Sequence, residues 1–148
     1  MRRTALALVV VCLFLFALPM LAQSKPYHDG SVWEIQYIHV KAGMEDRYAR
    51  YLAADWRREQ EAMKKAGYVL SYKVLKTESH NPMDFNVILM TEFKDLASME
   101  ANADKAEQLA QELFGGTSKI EAGYTDRSSY RDIVGGRMAR EVILEPKK

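Results

Sequence analysis

Residues 32–75 read as strand, tight turn, long amphipathic helix, glycine stop and strand, and residues 85–144 run strand, helix and strand again. No other feature constrains the fold as tightly, because hydrophobic period two switching to about 3.6 and back marks two separate strand–helix–strand units. The first strand, 32–40, carries Trp33, Ile35, Tyr37 and His39 on one face and Val32, Glu34, Gln36, Ile38 and Val40 on the other. Lys41, Ala42 and Gly43 make the turn, and a helix follows over 44–66 with Gly67 as its left-handed stop. Strand two covers 68–76, with Tyr68, Leu70, Tyr72 and Val74 alternating; residues 78–82 have the turn chemistry of a hairpin loop.

Strand three, 85–93, sets Phe85, Val87, Leu89 and Phe93 on one face against Ile88 and Met90 on the other. Asp95 is the expected N-cap of a second helix over 96–114. The middle of its inward stripe is alanine (Ala103, Ala106, Ala110), so this helix approaches the sheet closely. The first helix presents Tyr48, Leu52 and Met63 and stands further off, so a cavity is expected beneath it. Residues 115–136 read as a long connection holding a short helix over 126–134, stopped by Gly135 and Gly136, and the last strand is expected over 138–145.

This order is the split βαβ plan of an α+β, ferredoxin-like fold: a four-stranded antiparallel sheet with two helices on one face. The other face is bare yet carries Ile88 and Met90, which predicts self-association through the sheet.

Arg2 and Arg3, an apolar run over 5–18 and a small residue at Ala22 have the layout of a secretory signal peptide. The expected organisation is a signal peptide at 1–22, a polar leader at 23–30 and one domain over 31–148. The mature chain is then exported, periplasmic or secreted, with no stable membrane anchor. It also lacks thiol chemistry, since the only cysteine, Cys12, lies within the apolar run. Without Arg2 and Arg3 there remain 19 basic against 20 acidic residues. So even a balance carries no electrostatic footprint for nucleic acid.

The chain resembles the dimeric α+β-barrel superfamily, in which two such sheets close into a barrel. The likeness covers about 31–144 and rests on residues 40–45, Val40 to Glu45, leading into helix one, and on Lys65, Ala66 and Gly67 leading into strand two. It implies a homodimer. The superfamily holds cofactor-free monooxygenases, haem-degrading monooxygenases and NIPSNAP-like domains of unknown role, and the last group looks closest. The haem-degrading members use a histidine on helix two and a tryptophan on strand three. Residues 95–114 contain no histidine and residues 84–93 no tryptophan, so no haem, and no other cofactor or metal, is expected.

Asp55 and Glu59 are the oddest residues in the pattern. At 100° per residue they fall within about 20° of Tyr48 and Ala66, in the middle of the apolar stripe. Carboxylates there must be paired, hydrated or protonated. They belong either to a ligand pocket or to a buried ion pair with Lys73, Arg131, Arg137 or Arg140; on the second reading Asp55→Asn is strongly destabilising. His39 is the candidate catalytic base, and Tyr37, Tyr48, Trp56 and Tyr72, with Trp33, are candidates for an aromatic ligand pocket. Arg127 and Arg131, four residues apart, fit an anion clamp or plain pairing with Asp126, Asp132 or Asp55, and the plain pairing is favoured. The function expected is binding of a small organic molecule, aromatic or apolar. A cofactor-independent monooxygenase with His39 as base, and a structural or interaction protein with a filled core, are the alternatives.

Overall fold

The computed structural model describes residues 25–146. The expected signal peptide, 1–22, and the first residues of the expected leader lie outside the described residues. Strand β1 is Tyr27–Val40. Helix α1 has three consecutive parts, α-helical over Glu45–Tyr51, π-helical over Leu52–Trp56 and α-helical again over Arg57–Lys65. Strands β2, Ser71–Lys76, and β3, Val87–Phe93, form the hairpin. Helices α2, Leu96–Ala101, and α3, Ala103–Phe114, follow; α4 is Thr117–Ser128 and β4 is Arg131–Leu144.

The sheet is antiparallel throughout, in the order β2-β3-β1-β4. Residues Val32, Glu34, Gln36, Ile38 and Val40 of β1 share a face with Leu89 and Thr91 of β3, and the helices cover that face. Its core is Ile38, Val40, Tyr48, Trp56, Leu89 and Tyr130. Trp33, Ile35 and Tyr37 lie on the opposite face beside Ile88, Met90 and Leu75, and no described helix covers them.

Local chemistry accounts for the element ends. Gly67 takes φ 78°, the left-handed value that ends α1 and that a side chain would resist. Asp95 is extended and its carboxylate accepts the Ser98 N–H, capping α2. Asn86 closes the far end of the hairpin: its amide accepts the Val40 N–H at 2.9 Å and donates to the Val40 carbonyl at 3.0 Å.

Several expectations need correction. Residues 27–30 are not a separate leader; they pair with the end of β4, Tyr27 with Leu144 and Asp29 with Val142, because β4 runs long enough to offer them a partner. Strand two begins at Ser71 and strand three at Val87, and Phe85 packs against Tyr37 at a tilt of 44°, centroids 4.8 Å apart. The long connection is mostly α4, and the residues read as a helix over 126–134 are the end of α4 and the start of β4. Gly135 and Gly136 are inside β4 and stop nothing. A bulge at Val134 re-registers the pairing from Tyr37–Gly135 to Ile38–Ile133, and a Cβ at Gly136 would stand only 3.3 Å from the Ile35 carbonyl oxygen.

Candidate functional site

The two stretches of helix that follow β3 do not close onto the whole sheet. Between α1, the end of α3, α4 and the helix-facing side of the sheet lies a cavity of about 420 Å³. Its floor is Glu34, Gln36 and Ile38 of β1, Leu89 and Thr91 of β3 and Ile133 of β4. One wall is the inner side of α1, and the other is Ala110 and Phe114 of α3 with Ile120, Gly123, Tyr124 and Arg127 of α4.

The π turn decides what α1 shows to this space. The Arg57 N–H reaches back five residues to the Leu52 carbonyl, so one extra residue is accommodated between Tyr48 and Met63. Trp56, at the stripe's edge in an ideal helix, is thereby buried to 8 % exposure. Asp55 is carried to the cavity rim, where its side chain is 54 % exposed and paired with Arg58 at 3.3 Å. The expectation of a buried Asp55 is therefore corrected, and with it the list of partners Lys73, Arg131, Arg137 and Arg140. Glu59 stays half-buried on the inner side.

Burial sets the electrostatics. It pushes the Tyr48 hydroxyl far above the ordinary tyrosine range, with Arg131 opposing, and the Tyr51 hydroxyl up to about 12, with Arg127 opposing. Burial likewise raises Glu59 above the usual carboxylate value, against the lowering influence of Arg127. The Arg127 guanidinium lies over two rings, that of Tyr51, 4.6 Å from the centroid, and that of Tyr124, at 4.5 Å. The Nε atoms of Arg127 and Arg131 are shielded from solvent and have no hydrogen-bond partner among the described residues. The aspartates expected to pair with them are engaged elsewhere: Asp126 with Arg47 at 2.7 Å, Asp132 with Lys41 at 4.0 Å and Asp55 with Arg58.

Of the residues singled out from the sequence, Tyr48, Asp55, Trp56 and Glu59 come together at this cavity. Tyr37 and His39 do not: β1 alternation sends both to the open face. His39 lies 2.7 Å, Nδ1 to oxygen, from the Asp84 carbonyl, so the candidate catalytic base stands apart from the cavity that Asp55 and Glu59 line. Tyr72 packs edge-on against Trp56, centroids 5.3 Å apart, outside the cavity lining, and donates a 2.6 Å hydrogen bond to Glu61 that raises its own pKa. Among the described residues no three His, Cys, Asp or Glu side chains stand together as a metal site. Sequence reasoning missed Phe114, Ile120 and Tyr124. Ile120, Gly123, Tyr124 and Arg127 follow i, i+3, i+4, i+7, which is a helical stripe, but a glycine and an arginine in it hide the pattern.

No protein-family profile matches the sequence, and no curated protein does. Solved structures do match. A NIPSNAP family protein of unknown function from Agrobacterium tumefaciens is 11% identical over 80% of this chain and 92% of its own, with a TM-score of 0.50. The fold is ferredoxin-like. HapK from Hahella chejuensis is 13% identical over 74% of this chain and 91% of its own (TM-score 0.47). A dimeric ferredoxin-like protein from an uncultured marine organism is 16% identical over 81% and 100% (TM-score 0.44). At such identities the ferredoxin-like likeness is one of architecture.

Proposed function

We propose that this chain is an exported, homodimeric α+β-barrel domain that binds a small organic molecule in the cavity under α1. The observation that carries the binding reading is the cavity itself. A domain whose role is only structural gains stability by filling such a space, whereas about 420 Å³ falls within the range of small-molecule sites. Five aromatic side chains, Tyr48, Tyr51, Trp56, Phe114 and Tyr124, share its lining with a larger set of polar and charged ones. Such a lining suits a ligand with a flat apolar body that also carries polar groups. Self-association is supported by the uncovered sheet face bearing Trp33, Ile35, Ile88 and Met90, and export by the pattern over 1–22.

Native mass spectrometry of protein purified from its own host tests the reading. The expected result is a dimer that carries a small organic molecule, released on denaturation and absent from an Ala110→Phe variant whose ring fills the cavity. A dimer free of any adduct, together with an Ala110→Phe variant that is only more stable, overturns it.

A further inference from the structure

The cavity has one chemically distinctive end. Arg127 comes from the last turn of α4 and Arg131 from the first residue of β4, and Lys119 lines the same space. Neither arginine takes part in an ion pair among the described residues, and each has a shielded Nε without a partner. Leaving a buried donor unmade is costly, so a fold that brings two to one cavity implies a partner that arrives from outside. Arg127 is also pre-ordered, since its guanidinium rests against the rings of both Tyr51 and Tyr124. A fixed guanidinium plane suits a planar oxyanion, which it meets edge-on through two parallel hydrogen bonds.

The acidic groups of the cavity do not cancel this end. Asp55 is at the rim and bound to Arg58, and Glu34 accepts a hydrogen bond from Gln36 at 3.3 Å. Burial works against the charge on Glu59, with Arg127 opposing, and the two make no ion pair among the described residues.

We propose that the molecule bound here is an aromatic carboxylic acid, its carboxylate held by Arg127 and Arg131 and its ring against Trp56 and Phe114. This deepens the preceding reading and rests on it. The test uses two probes of one shape, 2-naphthoate and the uncharged 2-naphthamide, titrated calorimetrically into the purified protein. Naphthoate is expected to bind at least about tenfold more tightly than naphthamide, the difference a charge-assisted pair supplies. Arg127→Gln and Arg131→Gln should each remove about tenfold from naphthoate and leave naphthamide within about twofold. Arg127→Lys and Arg131→Lys keep the charge without the fork and should fall between, which guards against a variant that merely misfolds. Equal binding of the two probes, or glutamine variants that leave naphthoate unchanged, overturns the carboxylate assignment alone. Failure of both probes to bind the wild-type protein overturns the ligand site itself.

Discussion

The guanidinium of Arg127 lies over the ring of Tyr51, its central carbon 4.6 Å from the centroid, and the two belong to helices at opposite ends of the chain. The contact ties α4 to α1 beside the cavity that both line. It also holds a cation where solvent is scarce, so stability and binding make opposite demands on the residues around it.

Arg131 exposes that opposition, because among the described residues its Nε is shielded and partnerless and its guanidinium stacks on no ring. Leaving such a donor unsatisfied costs about 1–3 kcal/mol. Arg131→Met should therefore melt at or above the wild-type temperature, as read by differential scanning calorimetry. A clear loss of stability would show that the guanidinium is a structural group.

Asp55→Asn should have little effect. The Asp55–Arg58 pair is exposed on both sides, and such pairs are worth roughly 0–1 kcal/mol. This replaces the large destabilisation expected for a buried pair. Chemical denaturation of the variant decides between them, since the two magnitudes do not overlap.

Glu59 has a sign that can be worked out. Its folded pKa is raised by burial, so the folded state holds the proton more tightly than the unfolded chain. The favourable contribution is present below the ordinary carboxylate pKa and is lost as pH rises through the folded value. Glu59→Gln should accordingly be more stable than wild type at neutral pH, with the gap narrowing as the pH falls below the carboxylate range. Melting curves of both proteins across that range provide the check; a gap that widens in acid would mean that Arg127 outweighs burial.

Ile88 and Met90 test assembly. Burying the open face removes apolar surface at about 25 cal/mol per Å². A lysine there places a charge in the middle of the interface. Ile88→Lys or Met90→Lys should convert a dimer to a monomer by light scattering at micromolar concentration, while wild type that is already monomeric would remove the barrel.

Asn86→Ala should cost about 1–3 kcal/mol, since it strands both backbone groups of Val40 at the end of β1. Hydrogen exchange of the Val40 amide would report the same loss locally.

Much of this fold was legible because its cues were local. The two faces of β1, the Asp95 cap and the Gly67 stop each depend on a few neighbouring residues, and each stands where the sequence placed it. What escaped depends on geometry that no window contains. The phase of α1 changes at the π turn, so a rotation of 100° per residue placed Asp55 inside and Trp56 at the edge when the reverse holds. Helix α4 escaped because its inward stripe includes Gly123 and Arg127, residue types that interrupt an apolar period. Gly135 and Gly136 read as a stop because a bulged strand and a loop share the same glycine signal. The cavity was expected beneath the first helix, but its cationic end was out of reach once Arg127 and Arg131 were assigned to one short helix.

A π turn is an α-helix carrying one residue more than its turns require, and the surplus in α1 is confined to Leu52–Trp56. The chain can therefore be shortened by one residue at this place with neither flank rotating: Tyr48 would stay on the sheet, and so would Met63. Only the stretch between them would be redrawn, and with it the side of the cavity that Asp55 and Trp56 now define. In this fold a change of length, rather than a change of side chain, is the simplest way to recast what the cavity admits. Deletion of Ala54 should leave the melting temperature close to wild type while altering ligand retention.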